Sequence, residues 1–332
     1  MWGLVRLRGR PRMQAPPTDE AGESMRILVL GAGGTGGYFG GRLAQSGADA
    51  TFLVRPARAA QLERDGLSIH SPLGDATVPV VHVVAGDLPA LAAAAPFDLV
   101  VLSCKAYDLD SAVEAIAPAV GPGTAVMPIL NGLRHYPLLD ARFGRERVLG
   151  GLCFISAAKA ADGGILHLGR PASITFGERD GGTSARVEAF AALCAKAGIE
   201  HEASADIAQA QWNKFSFLAT LAAGTCLMRA GVGRIVASEG GAEFMAALHE
   251  ECLAVARAEG RPVPQKARDT ARTGLTLAGS EVKASMLRDL ESGGRVEAAH
   301  IVGDMFRRTL AHGIDAPNLR AAWVHLQVYE GA

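Results

Sequence analysis

The feature that most constrains this chain is a run of glycines with a strand before it and a helix after it. Gly31-Ala32-Gly33-Gly34-Thr35-Gly36 matches the pattern GxGxxG, follows the apolar segment Arg26–Leu30 (RILVL), and leads into Tyr38–Ser46, which reads as a helix closed by Gly47. A chain with 40 glycines meets that pattern by chance, so the context carries the meaning. A strand, a tight glycine turn and a helix N-terminus together form a dinucleotide-binding unit. Gly31 and Gly33 let the backbone turn and approach a pyrophosphate, and the free N–H groups and dipole of the helix then face the anion. Gly36 lets the helix pack close to the strand. The alternative is a glycine-rich turn without a ligand.

The rest of the chain supports that unit. Strands are expected at Ala50–Val54, Thr77–Val84, Asp98–Ser103 and Thr124–Ile129, with helices at Arg58–Asp65 and Leu109–Val120. Repeated strand–helix–strand units imply an α/β fold, a doubly wound, Rossmann-like parallel sheet with helices on both faces. Gly150–Glu178 is richer in glycine and β-branched residues and is expected to add strands at the sheet edge. After Ala205 the pattern becomes all-helical, with long helices at Ile207–Arg229, Gly241–Gly260, Gln265–Leu277 and Val296–His312. The length of 332 residues fits two domains, a dinucleotide-binding one over 25–204 and a helical one over 205–332. Residues 1–24 carry Arg6, Arg8, Arg10 and Arg12 and then Pro16-Pro17. They read as a disordered extension or a start upstream of Met25, with organelle targeting as the alternative.

Composition removes several classes of function. Hydrophobic residues make up 49%, charged residues 20%, and the formal net charge is −1, which gives no electrostatic case for a nucleic-acid or membrane-surface partner. No apolar run reaches the roughly 18 residues of a membrane-spanning helix. Five scattered cysteines without a CxxC pair fit reduced thiols in a cytoplasmic enzyme. His249-Glu250 does not continue to HExxH, nine histidines show no ligand spacing, and no metal is expected. GxSxG and Walker A patterns are absent.

Four places carry candidate chemistry. The second strand ends at Arg55, with Arg58 one helical step beyond, where an NAD-binding unit would carry an acidic residue. An arginine there suits the 2′-phosphate of NADP(H), a solvated surface arginine being the alternative. Lys105 and Asn131-Gly132 follow adjacent strands at their carboxyl ends, where open α/β sheets bind ligands, a surface charge and a simple turn being the alternatives. Lys214 shares a largely apolar helical face with Leu218 and Ala222. Burial there lowers an ammonium pKa toward that of a general acid. The last is Ser285-Met286-Leu287-Arg288-Asp289-Leu290, followed by Glu297, which is expected in the first turn of a helix.

These pieces resemble the ketopantoate reductase (2-dehydropantoate 2-reductase) family. The resemblance rests on RILVLGAGGTGGYFGGRLAQSG, FLVR, VVLSCKAYDLDSA, ILNGL, QWNKF, KASMLRDLESGGRVE and HGIDAPN, and spans Met25 to Leu319. It implies NADPH-dependent reduction of ketopantoate to pantoate, a precursor of coenzyme A, in a cleft between a Rossmann domain and a helical domain. Lys214 would be the general acid and Glu297 its support; Asn131, Ser285 and Lys105 would hold substrate. The stretch Gly31, Ala32, Gly33, Gly34, Thr35 and Gly36, with Arg55, Lys105 and Asn131, would hold NADP(H). A homodimer is the assembly considered. One departure matters: the family's asparagines four and eight residues after the lysine are here Leu218 and Ala222. That leaves open a reductase of another, more apolar 2-oxo acid. A non-catalytic NADPH-binding sensor is the further alternative.

Overall fold

The computed structural model describes residues 25–331. The extension expected over 1–24 lies outside the described residues. The N-terminal part runs β1 (Ile27–Leu30), α1 (Gly34–Gln45), β2 (Ala50–Leu53), α2 (Pro56–Asp65), β3 (Leu67–His70), β4 (Ala76–Val78), β5 (Val81–Val83), α3 (Leu88–Ala94), β6 (Leu99–Leu102), α4 (Leu109–Ile116), β7 (Ala125–Pro128), α5 (Tyr136–Phe143), β8 (Gly150–Lys159), β9 (Ile165–Gly177), α6 (Ala185–Lys196) and β10 (Glu200–Ala203). Then follow α7 (Ile207–Met228), α8 (Val232–Val236), α9 (Gly241–Ala258), α10 (Gln265–Thr276), α11 (Ser285–Glu291), α12 (Val302–Ala311) and α13 (Pro317–Gly331).

The first sheet is parallel throughout, in the order β5-β2-β1-β6-β7. The order reverses direction at β1/β6, so the loops after β1 and β6 open a crevice at the carboxyl edge. Side chains of β1 alternate between two cores. Ile27 and Val29 join Phe52, Ile69 and Ile165 on one face, and Leu28 joins Val100, Leu102 and Ile116 on the other. A third core is helical and runs from Trp212 to Leu326 around α7.

Three expectations need correction. The strands of Gly150–Glu178 do not extend the first sheet. β8 and β9 pair antiparallel and join a second sheet, β10-β9-β3-β4, and an isolated parallel bridge, Val126–Val148, ties β7 to the chain just before β8. The second sheet lies on α1, whose glycines make this approach feasible: a Cβ on Gly34 would meet the Ala157 carbonyl, one on Gly37 Ile165, and one on Gly41 Ile69 and Leu67. Thr77–Val84 is also not one strand. Pro79 has no N–H for a ladder, and the chain switches there from β4 in the second sheet to β5 in the first. Finally, the helix expected over Val296–His312 is α12, which starts at Val302 and leaves Glu297 in non-helical chain before it.

Candidate active site

α7 is buried along most of its length, including Phe215, Ala219 and Ala222. The hydroxyls of Ser216, Thr220 and Thr225 bond back to carbonyls one turn earlier, which satisfies them without outside partners. Lys214 is the exception. It is only 9% exposed, and its Nζ donates to Asn131 Oδ1 at 2.9 Å and to the Cys153 carbonyl at 2.7 Å. The Phe154 ring lies 5.3 Å from the ammonium. Burial lowers the Lys214 pKa, and the more distant charge of Glu297 works against that. The ammonium therefore sits at the carboxyl ends of the sheet strands, turned away from bulk water.

Asn131 reaches it because Ile129-Leu130-Asn131 leaves β7 and turns sharply at Gly132, whose φ is +80°. A side chain on Gly132 would collide with the His300 backbone. The same turn carries His135, fully buried, whose Nδ1 lies 3.3 Å from His300 Nε2. Burial drives the His135 pKa well down and also lowers that of His300, which favours the neutral rings.

Lys105 and Glu297 come together, but not around Lys214. Lys105, at the exit of β6, pairs with Asp289 at 2.7 Å and with Glu297 at 3.4 Å. The other oxygen of Glu297 accepts the Ala106 N–H at 2.9 Å. The expected direct pair between Glu297 and Lys214 does not form, because the carboxylate is spent on Lys105 and the β6 exit. Burial alone would lower the Lys105 pKa, but the facing carboxylates, Glu297 foremost, raise it. Asp289 lies within the segment singled out in the sequence, yet nothing in its spacing revealed Lys105 as its partner. Ser285 begins α11 on the exposed side, and no described residue hydrogen-bonds its hydroxyl. The side chain of Arg55 is 83% exposed and lies 3.7 Å from Asp108.

A small cavity beside Lys214 is lined by Leu130, Leu133, Leu152, Phe215 and Leu218, with Gln211. At the crevice, Gly31 adopts φ +84°, and Gly33 caps α1 with no side-chain hydrogen bond. A Cβ on either would meet nothing within 4 Å. The glycine loop thus leaves room at the N-terminus of α1, at the point where the strand order reverses, which fits a dinucleotide pyrophosphate.

Residues 27–181 match the ketopantoate reductase PanE/ApbA family, and 206–330 match its C-terminal part. The chain belongs to the ketopantoate reductase family. It is 37% identical over 310 residues to an uncharacterized oxidoreductase, YkpB, of Bacillus subtilis (strain 168), covering 92% of this chain and 99% of that protein. A PanE/ApbA family ketopantoate reductase from Ralstonia eutropha JMP134 superposes with a TM-score of 0.81 at 28% identity, over 92% of this chain and 99% of that one. D-mandelate dehydrogenase, solved with NADH and anilino(oxo)acetate, has the same fold, with a TM-score of 0.81 at 19% identity over 92% and 99% of the two chains. The protein is an oxidoreductase of this family. Among its described residues, no helix is long and apolar enough to cross a membrane.

Proposed function

We propose that this member of the family reduces a 2-oxo acid with NADPH, with 2-dehydropantoate as the leading substrate and pantoate as the product. The observation that carries the reading is the buried ammonium of Lys214, fixed by Asn131 and the Cys153 carbonyl at the carboxyl edge of the sheet. When bound, the reduced nicotinamide supplies the hydride. The chain supplies placement, charge and a proton. In this reading Asn131, which accepts from Lys214, and Lys105, at the exit of β6, orient the ketone, and Ser285 at the start of α11 adds a hydroxyl. As the carbonyl oxygen gains negative charge, Lys214 stabilises it and then gives it a proton from Nζ. Glu297 acts at one remove: it holds Lys105 and anchors the chain before α12 to the β6 exit. The glycine loop takes the pyrophosphate, and Arg55 at the end of β2 is free to meet the 2′-phosphate.

The test is oxidation of NADPH by the purified protein with 2-dehydropantoate, followed by loss of NADPH absorbance. Lys214→Ala is expected to reduce kcat/KM by about 10²–10⁴-fold, the usual span of a lost general acid. Undiminished turnover in that variant overturns the assignment.

A second substrate within the same reading is favoured by one observation. Leu218 and its apolar neighbours form the wall beside Lys214, and Ala222 behind it is 1% exposed. A wall of this kind favours an oxo acid with a purely apolar side chain.

A further inference from the structure

Deepening the reading of an NADPH site, we propose that Arg58 is the fixed arm of a two-arginine clamp for the cofactor's 2′-phosphate, with Arg55 as its mobile arm. The two arginines flank the N-terminus of α2, immediately after β2, but their surroundings differ. Arg55 is almost fully exposed, and its one ionic contact, with Asp108, is long. Arg58 is half-buried and held in place: Nη2 donates to the Ala32 carbonyl at 3.0 Å, inside the glycine loop, and Nη1 to Gln61 Oε1 at 2.7 Å. Gln61 in turn donates to the Asp162 carbonyl at the tip of the β8–β9 hairpin. The guanidinium is thus tied to the cofactor loop on one side and to the hairpin on the other.

Its charge, however, is unmatched. None of the ion pairs among the described residues includes Arg58, and its Nε–H is shielded from solvent with no hydrogen-bond partner. Burial accordingly lowers its pKa, with no carboxylate to oppose the effect. A guanidinium has five N–H donors, and here two are engaged. A half-buried arginine with a shielded, unpartnered Nε–H and no carboxylate beside it is better satisfied once an anion takes its remaining charge. Its location at Ala32, the second residue of the glycine loop and next to the end of β2, is where the adenosine ribose of a dinucleotide lies in such a unit. The complementary ligand is a phosphate dianion on that ribose, which accepts the charge-assisted fork that a hydroxyl cannot fill.

The experiment is a set of titrations of full-length protein with NADPH, NADH, 2′-AMP and 5′-AMP, for wild type, Arg58→Gln and Arg58→Lys. The expected result is that Arg58→Gln weakens NADPH and 2′-AMP about tenfold or more, while NADH and 5′-AMP change less than about twofold. Arg58→Lys, which keeps the charge and loses the fork, is expected to fall between. Retained NADH binding shows that a variant is folded. Equal weakening of NADPH and NADH would overturn the proposal, making Arg58 a scaffold for the loop. An unchanged NADPH to NADH ratio in Arg58→Gln would also overturn it, while leaving the NADPH reading intact if wild type still discriminates. Wild type that binds both cofactors equally would defeat the NADPH reading itself.

Discussion

At the scale of single residues, the molecule concentrates its cost in Lys214. An ammonium 9% exposed on an otherwise apolar helix is tolerated because Asn131 Oδ1 and the Cys153 carbonyl accept hydrogen bonds from it. The same burial lowers its pKa. A general acid works only while protonated, so its activity is present below its pKa and lost above it. The lowered value moves that loss to lower pH. The alkaline limb of kcat/KM is therefore expected to bend below the ordinary lysine value of about 10.4, and to disappear from the residual activity of Lys214→Ala. A limb that stays in place in that variant would assign the titration to another group. Leu218 gives a second test. Leu218→Asn restores an amide beside the lysine and is expected to raise kcat/KM for 2-dehydropantoate, relative to an oxo acid with a purely apolar side chain, by about 2–10-fold. A ratio that does not move would remove Leu218 from the specificity argument. Lys214 was legible in the sequence because a charge among apolar residues at helical spacing stands out. The partner of Glu297 was not, since Lys105 lies 192 positions away and only the fold brings the two together.

At the scale of elements, the informative piece is α1 (GTGGYFGGRLAQ), a helix whose glycine content argues against its own stability. Part of the reason is visible in the sequence, where the glycine pattern predicts a cofactor loop. The larger part was not, because Gly34, Gly37 and Gly41 are small to admit a second sheet that local pattern could not reveal. Pro79, by contrast, was a readable breaker inside an expected strand, and it divides β4 from β5 for the usual reason that proline cannot donate to a ladder. The two roles of glycine are separable. Gly33 has φ −91° and open space around a Cβ, so Gly33→Ala should leave the thermal midpoint nearly unchanged while weakening dinucleotide binding. At Gly34 a Cβ would lie 2.5 Å from the Ala157 carbonyl, so Gly34→Ala should cost about 1–3 kcal/mol of stability by overpacking α1 against β8. Thermal unfolding and a cofactor titration on both variants decide the matter. A destabilised Gly33→Ala with intact binding would reverse the assignment.

At the scale of the whole molecule, the site is also the joint. Lys214 on α7 reaches Asn131 and the β8 backbone, Arg288 on α11 reaches Ser156 on β8, and Lys105 reaches Asp289 and Glu297 across the cleft. The residues proposed for chemistry therefore also couple the sheets to the helical domain. Lys105 is the pivot, a single cation facing two carboxylates, and its pKa is raised in the folded protein. A raised lysine pKa contributes stability that is fully present below the unfolded value of about 10.4 and is lost as pH rises through the folded value. Lys105→Gln leaves Glu297, 8% exposed, with only the Ala106 N–H and with Asp289 as a like-charged neighbour. That variant is expected to unfold at lower denaturant than wild type across about pH 6–9, with the gap closing only at strongly alkaline pH. Asp289→Asn should cost less, because Glu297 remains on the lysine and the Asp289 side chain is 33% exposed, where solvent weakens the pair. Denaturant midpoints for the three proteins against pH test this directly. If Asp289→Asn is as damaging as Lys105→Gln, the joint is held by the Asp289 contact, and Glu297 serves the chemistry alone.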